Sequence, residues 1–198
     1  MPASPVESRP VHRRTEGHGS VPAPSEPSGR PKGCWCNASV GHSVAARHEG
    51  YALPVPYTFQ VTIDSARPHV LADWWAAALG WQVEPSNEEF IRQMIAEGHA
   101  TDDDTMRHDG ALVWKDGAAV RHPDGLERAP RLLFQLVPES KTAKNRVHLD
   151  LHIGDDDLGE VVERLRAAGA TFLHEGRQGP HTWVTMADPE GNEFCLSG

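Results

Sequence analysis

The feature that most constrains this chain is that its last two thirds repeat. Laying Gln60 on His148 puts Thr58 on Arg146, Thr62 on Asp150 and Asp64 on His152, and the alternation of polar and apolar residues then agrees along both segments. In YTFQVTID the apolar parity is Phe59, Val61 and Ile63; in RVHLDLHI it is Val147, Leu149, Leu151 and Ile153. Strict alternation predicts strands with one face against a hydrophobic layer and the other toward water or a polar cavity. Each strand is followed by a helical pattern. PHVLADWWAAALG has Pro68 in its first turn and Gly80 as its stop, and DDDLGEVVERLRAAG has acidic residues at its start and Gly169 at its end. Further strand-like runs complete each copy: WQVEP, LVWKDGAAV and RLLFQLV in the first, ATFLHEG, TWVTMAD and NEFCLSG in the second, with KDG and DPEGN as turns.

A unit this long, present twice, is a duplicated module and not a solenoid repeat. The expected fold class is α+β, with paired βαβββ modules at about 57–138 and 146–198 forming a curled mixed sheet around a cavity. A shared polar parity has a reason if both polar faces look into that common cavity. Between Glu84 and Leu112 the first module carries an insertion. Its NEEFIRQMIAEG reads as a short helix capped by Asn87, with Phe90, Ile91, Met94 and Ile95 as the apolar stripe and Gly98 as the stop. Packing is the favoured role for this helix, and a lid over the cavity is the functional alternative. TDDDT at 101–105 lacks the glycine and distant glutamate of a calcium loop and reads as a solvated loop.

Residues 1–56 differ in texture. They hold nine of the sixteen prolines, and up to Gly50 the single aromatic is Trp35. Without apolar periodicity such a segment cannot offset its ordering entropy, so a disordered tail is expected, followed by one domain over 57–198. The tail also lacks the apolar core of a secretory signal or a membrane span. The whole chain carries −9. Six of its 19 basic and four of its 28 acidic residues lie in the tail, which leaves −11 for the remainder. Such a domain offers no footprint for a phosphate backbone and would be repelled by an anionic membrane, so neither nucleic acid nor membrane is an expected partner. Cys34, Cys36 and Cys195 make an odd count without a disulfide framework, as suits a cytoplasmic protein, and the Cys-Trp-Cys of the tail reads as incidental.

The two modules, LADWWAAALGW, the KNRVHLDL strand and the closing DPEGNEFCL together resemble the glyoxalase/bleomycin-resistance/extradiol-dioxygenase group, the vicinal oxygen chelate superfamily, and within it the glyoxalase-like proteins. The resemblance covers about residues 57–198. It implies a small-molecule ligand in a cavity between the modules, one divalent metal as the cofactor, and a monomer or homodimer. It also implies metal ligands on the first and last strands of each module, which in this chain fall at Gln60, Gln135, His148 and Cys195; Glu193, two residues before Cys195 at the same strand parity, offers a carboxylate in its place as the fourth ligand. His148 is the expected catalytic residue, with Thr58, Gln60, Asp150, Glu193 and Cys195 lining the substrate cavity. Metal-binding relatives end in a glutamate seven residues after the aspartate of the DPxGN turn. Here that position is Cys195. Neutral glutamines and a thiol suit magnesium or manganese poorly, since hard ions prefer carboxylate oxygen. Two readings therefore stand: a lyase, isomerase or dioxygenase with or without a metal, or a non-catalytic protein that sequesters a compound as the drug-resistance relatives do.

Deleting residues 1–50 is expected to leave the melting temperature unchanged by calorimetry, because that segment has no apolar periodicity to contribute. A drop of many degrees would place part of the core there.

Overall fold

Pro68 and Gly80 bound the first helix as their chemistry requires. The computed structural model describes residues 57–198, and in it α1 spans Pro68–Leu79, with Gly80 taking the left-handed conformation at φ 66° as its cap. The expected tail and its Cys-Trp-Cys lie outside the described residues. Module one runs β1 (Val61–Ser65), α1, β2 (Gln82–Val83), β5 (Gly117–Arg121) and β6 (Leu132–Leu136). The insertion contributes α2 (Glu88–Ala96), a 3-10 turn at Asp102–Asp104, and the hairpin β3 (Thr105–His108) and β4 (Ala111–Trp114). It runs past the expected end at Leu112, because the LVW of LVWKDGAAV pairs with β3 in a sheet of its own and only the GAAV part joins the module sheet. Module two runs β7 (Leu149–His152), α3 (Leu158–Ala167), β8 (Thr171–Gln178), β9 (His181–Ala187) and β10 (Glu193–Ser197). Asn87 caps α2 by accepting from the Phe90 amide at 2.9 Å, and Asp157 caps α3 by accepting from the Glu160 amide at 2.9 Å.

The duplication shows in the strand order. One sheet runs β1-β6-β5-β2 and the other β7-β10-β9-β8, so in each the first strand lies parallel to the last and the remaining strands are antiparallel. These are the curled βαβββ modules of the vicinal oxygen chelate fold, and the described residues form no closed barrel. The strands begin later than alternation predicts. Residues 57–60 and 146–148 precede β1 and β7, with Phe59 75 % and Val147 78 % exposed. Leu149, Leu151 and Ile153 do pack on the core, as do Val61 and Ile63. No described helix is long and apolar enough to cross a membrane.

One core joins the modules. Trp75, Phe134 and Phe194 are almost wholly buried, and the Trp75 and Phe194 rings meet edge to face at 5.2 Å and 66°. Trp74 also packs on Phe194, and its Nε1 donates to the carbonyl of Ala168 just beyond α3. The tryptophan pair of module one is therefore anchored in module two. The DPEGN turn completes the junction. Asp188, 2 % exposed, accepts from Trp75 Nε1 at 3.0 Å, from the amides of Glu190 and Asn192, and from the Asn192 side chain. Glu190 accepts from Ser65 Oγ and from the amides of Ala66 and Arg67 at 2.8–3.0 Å. The start of α1 lacks a side-chain cap of its own, and Glu190 binds the two amides that lead into it and sets a carboxylate near the positive end of the helix.

Replacing Asp188 by Ala strips the acceptor from a buried indole and from its own turn, and is expected to cost about 3 kcal/mol in urea unfolding. Glu190→Ala, at a more exposed cap, should cost about 1 kcal/mol. Equal, small effects would show that the turn does not join the modules.

Candidate functional site

His148 stands one residue before β7, as Gln60 stands one residue before β1, so the expected equivalence of the two positions holds in the fold. From this point the polar parity of β7 continues into the sheet. Asp150 lies opposite Cys195 on β10, Cys195 opposite Thr185 on β9, and Thr185 opposite His174 on β8. The His148 Nε2 and Asp150 Oδ1 atoms are 3.1 Å apart. One ligand atom from each of His148, Asp150 and Cys195 can be chosen so that all lie within 4.8 Å of one another. Cys195 is only 9 % exposed, with its sulfur 3.5 Å from Thr185 Oγ1. On the same parity of β9, Trp183 lies over Gly176 of β8, where a Cβ would come within 2.1 Å of the indole. The glycine is what lets the ring lie down.

Two cavities meet at His148. The larger, about 910 Å³, lies between the modules. Its walls are residues 61–67 of module one, part of the segment 137–149, and the DPEGN turn with Glu193. The smaller, about 680 Å³, belongs to module two and is walled by His148, Asp150, His152, His181, Trp183 and Cys195 among others. Of the residues expected to share one cavity, Glu193 thus falls in the first, Asp150 and Cys195 in the second, and His148 in both. Thr58, Gln60 and Gln135 line neither. Gln60 Nε2 is 3.4 Å from Thr62 Oγ1. Gln135 pairs with Asp64, whereas the residue facing Thr62, as Cys195 faces Asp150, is Leu133.

Glu193 is held by module two's own approach segment. Its carboxylate accepts from Lys141 Nζ at 3.1 Å and from the Asn145 amide at 3.0 Å. Burial raises the pKa of this carboxyl. The hydrogen bonds from the amides of Asn145 and of Glu193 itself, with that of Lys141 and its charge, outweigh burial and leave the pKa below the ordinary value. Glu193 is therefore an anion already neutralised by its neighbours.

For the divalent ion that the resemblance implies, the group actually gathered is His148, Asp150 and Cys195: one nitrogen, one carboxylate and one thiol. That donor set fits a zinc-like ion better than magnesium or manganese. His152 shares the polar parity of Arg146, His148 and Asp150 that the alternation predicts. His181 and Trp183 were not singled out as site residues; their signal also lay in parity, since they precede Thr185 by four and by two. The insertion stands apart, with no residue from 84 to 116 in the wall of either cavity. Its α2 buries Ile91 completely, as the packing role expects.

Comparisons with known proteins agree with the fold. Among curated proteins none matches. A fosfomycin resistance protein, FosX, from Listeria monocytogenes, solved as a mutant with Mn(II) and 1S,2S-dihydroxypropylphosphonic acid, is similar at TM-score 0.50 and 10 % identity, over 73 % of this chain and 92 % of that one. A glyoxalase/bleomycin resistance protein/dioxygenase family enzyme from Burkholderia phytofirmans is similar at TM-score 0.45 and 15 % identity, over 69 % and 94 %. FosX from Mesorhizobium loti is similar at TM-score 0.47 and 10 % identity, over 72 % and 91 %. These likenesses concern the fold alone. The model of the glyoxalase-like domain matches residues 60–197, which takes in both modules, and the chain belongs to that family, within the vicinal oxygen chelate superfamily.

Proposed function

We propose that this glyoxalase-like protein binds a small organic molecule at the cavities walled by His148, and that His148 is the group that acts on it. The observation that carries the reading is that His148 lines both cavities, with its Nε2 3.1 Å from Asp150 Oδ1 in the wall of the smaller one. The carboxylate stands at ion-pair distance from the ring nitrogen, with both side chains open to solvent and so to a ligand. An imidazole in a cavity wall is placed to take a proton from a bound molecule. Cavities of this size suit a ligand of ordinary metabolite or drug dimensions.

Lysine, arginine and carboxylate groups from both modules line the larger cavity, among them Asp64, Arg67, Lys141 and Arg146, so a polar ligand is the better fit. Trp183 gives the smaller cavity an apolar wall on which a planar group can lie. A zinc-like ion held by His148, Asp150 and Cys195 would supply Lewis acidity there. Gln60, Gln135 and Glu193, the other positions implied by the family, remain part of the proposal as residues that a ligand bridging the modules would draw in. The enzyme reading is preferred over sequestration because His148 puts an acid–base group in the wall of both cavities.

The test is a thermal-shift series with fosfomycin, catechol, bleomycin and the hemithioacetal of methylglyoxal and glutathione, with and without Zn²⁺, on the natural chain and on His148→Ala. At least one compound should raise the melting temperature of the natural chain and fail to raise that of the variant. Conversion of that compound, followed by proton NMR, marks an enzyme; its recovery unchanged marks a sequestering protein. Stabilisation that survives His148→Ala would remove His148 from the site. A second expectation concerns Cys195→Glu, which restores an anionic oxygen beside His148 and should raise the stabilisation gained from Mn²⁺ above that of the natural chain.

A further inference from the structure

A second group of metal-ligating side chains lies on the insertion, away from both cavities. His108 ends β3, Asp109 follows it in the hairpin turn, and Asp73 comes from α1. His108 Nε2 is 2.6 Å from Asp73 Oδ2 and 3.9 Å from Asp109 Oδ2, and one ligand atom from each of the three lies within 4.8 Å of the others. In a tetrahedral site with metal–ligand bonds of about 2.0–2.2 Å, neighbouring ligand atoms stand about 3.4 Å apart. The two separations from His108 Nε2 bracket that edge, and the Asp109 side chain, 90 % exposed, is free to turn toward the other two.

Local structure presents the three groups together. Asp109 and Gly110 both have positive φ, 48° and 83°, the conformation that an Asp-Gly pair adopts in a tight two-residue hairpin. This turn sets the Asp109 carboxylate beside the histidine. His69, 7 % exposed and one helical turn before Asp73, lies with its ring 5.0 Å from that of His108 at a 32° tilt. Its Nε2 donates to the Trp114 carbonyl at 2.8 Å, which pins the ring against which His108 packs. The adjacent cation, Arg107, is engaged elsewhere, donating to the Gly110 carbonyl and approaching Glu88 at 3.8 Å. The site therefore has two anionic carboxylates around one imidazole.

We propose that Asp73, His108 and Asp109 form a binding site for a divalent cation of the zinc type, with water completing the coordination. Binding replaces the Nε2 proton of His108, which passes to solvent, and joins the insertion to α1 through the ion. The nitrogen and carboxylate donors suit a borderline cation, and three protein ligands leave one position open. The proposal is independent of the reading of His148, since the two groups share no residue.

The experiment is a titration of the full chain with Zn²⁺, read by long-range ¹H–¹⁵N spectra of the imidazole rings, which report each histidine separately from any other zinc bound. The His108 resonance is assigned by its loss in His108→Ala. Its Nε2 signal is expected to shift saturably at micromolar Zn²⁺, and Asp73→Asn, which preserves the shape of the helix surface, should raise the zinc needed at least tenfold. The same titration in His148→Ala should leave the His108 response unchanged. A His108 signal that does not move, that moves only at millimolar Zn²⁺, or that moves identically in Asp73→Asn overturns the site. Should His108→Ala fail to fold, His108→Gln serves for the assignment.

Discussion

The buried carboxylate of Asp188 is the interaction on which the assembly of this domain rests. A charge in a nearly inaccessible position is tolerated only if donors surround it. Here the donors come from two sources: the amides and side chain of its own turn, and the indole of a helix 113 residues earlier in the chain. The turn cannot take its shape without the acceptor, and Trp75 cannot bury its N–H without the turn. Around this pair the two helices close, Trp74 reaching the end of α3 and both tryptophans packing on Phe194. Each module lends the other something it lacks.

The site inherits its geometry from this junction. Because the DPEGN turn is fixed against α1, the strand that follows it leaves with a set register, and Cys195 falls opposite Asp150. A slip of one residue would turn Cys195 inward and put Leu196 on the polar face. The larger cavity is closed at one edge by the same junction, where Glu190 binds Ser65, Ala66 and Arg67.

How much of this was legible in the sequence depended on the range of the interactions. The module, its helix ends and the shared polar parity rest on local chemistry such as Pro68, Gly80, Gly169 and alternation, and they could be read directly. The His148–Asp150 pair was also within reach, because residues two apart on a strand share a face. That Gln60 and Gln135 stand outside the walls of both cavities was not, since it depends on how the sheets meet. Neither was the capture of Glu193 by Lys141 and the Asn145 amide, about fifty positions away. DPEGN could be read as a turn, but nothing within five residues tells that its aspartate serves a tryptophan in the other module. The early parts of both first strands misled for the opposite reason: Phe59 and Val147 keep the alternation, yet no neighbouring strand extends far enough to cover them.

Trp183 and Gly176 are neighbours on adjacent strands, and only one of them has a choice. The indole occupies the volume that any side chain at 176 would need, so the ring can change while the glycine cannot, unless the ring goes first. The pair therefore imposes an order on sequence change. A chain that exchanges Trp183 for a small residue loses the flat wall of the smaller cavity and at the same moment frees position 176 to grow. Once 176 has grown, a tryptophan at 183 can no longer lie flat in its present place. In descendants of such a protein the shape of this cavity would thus move in one direction, recorded less by the residue that touches the ligand than by whether the glycine behind it survives.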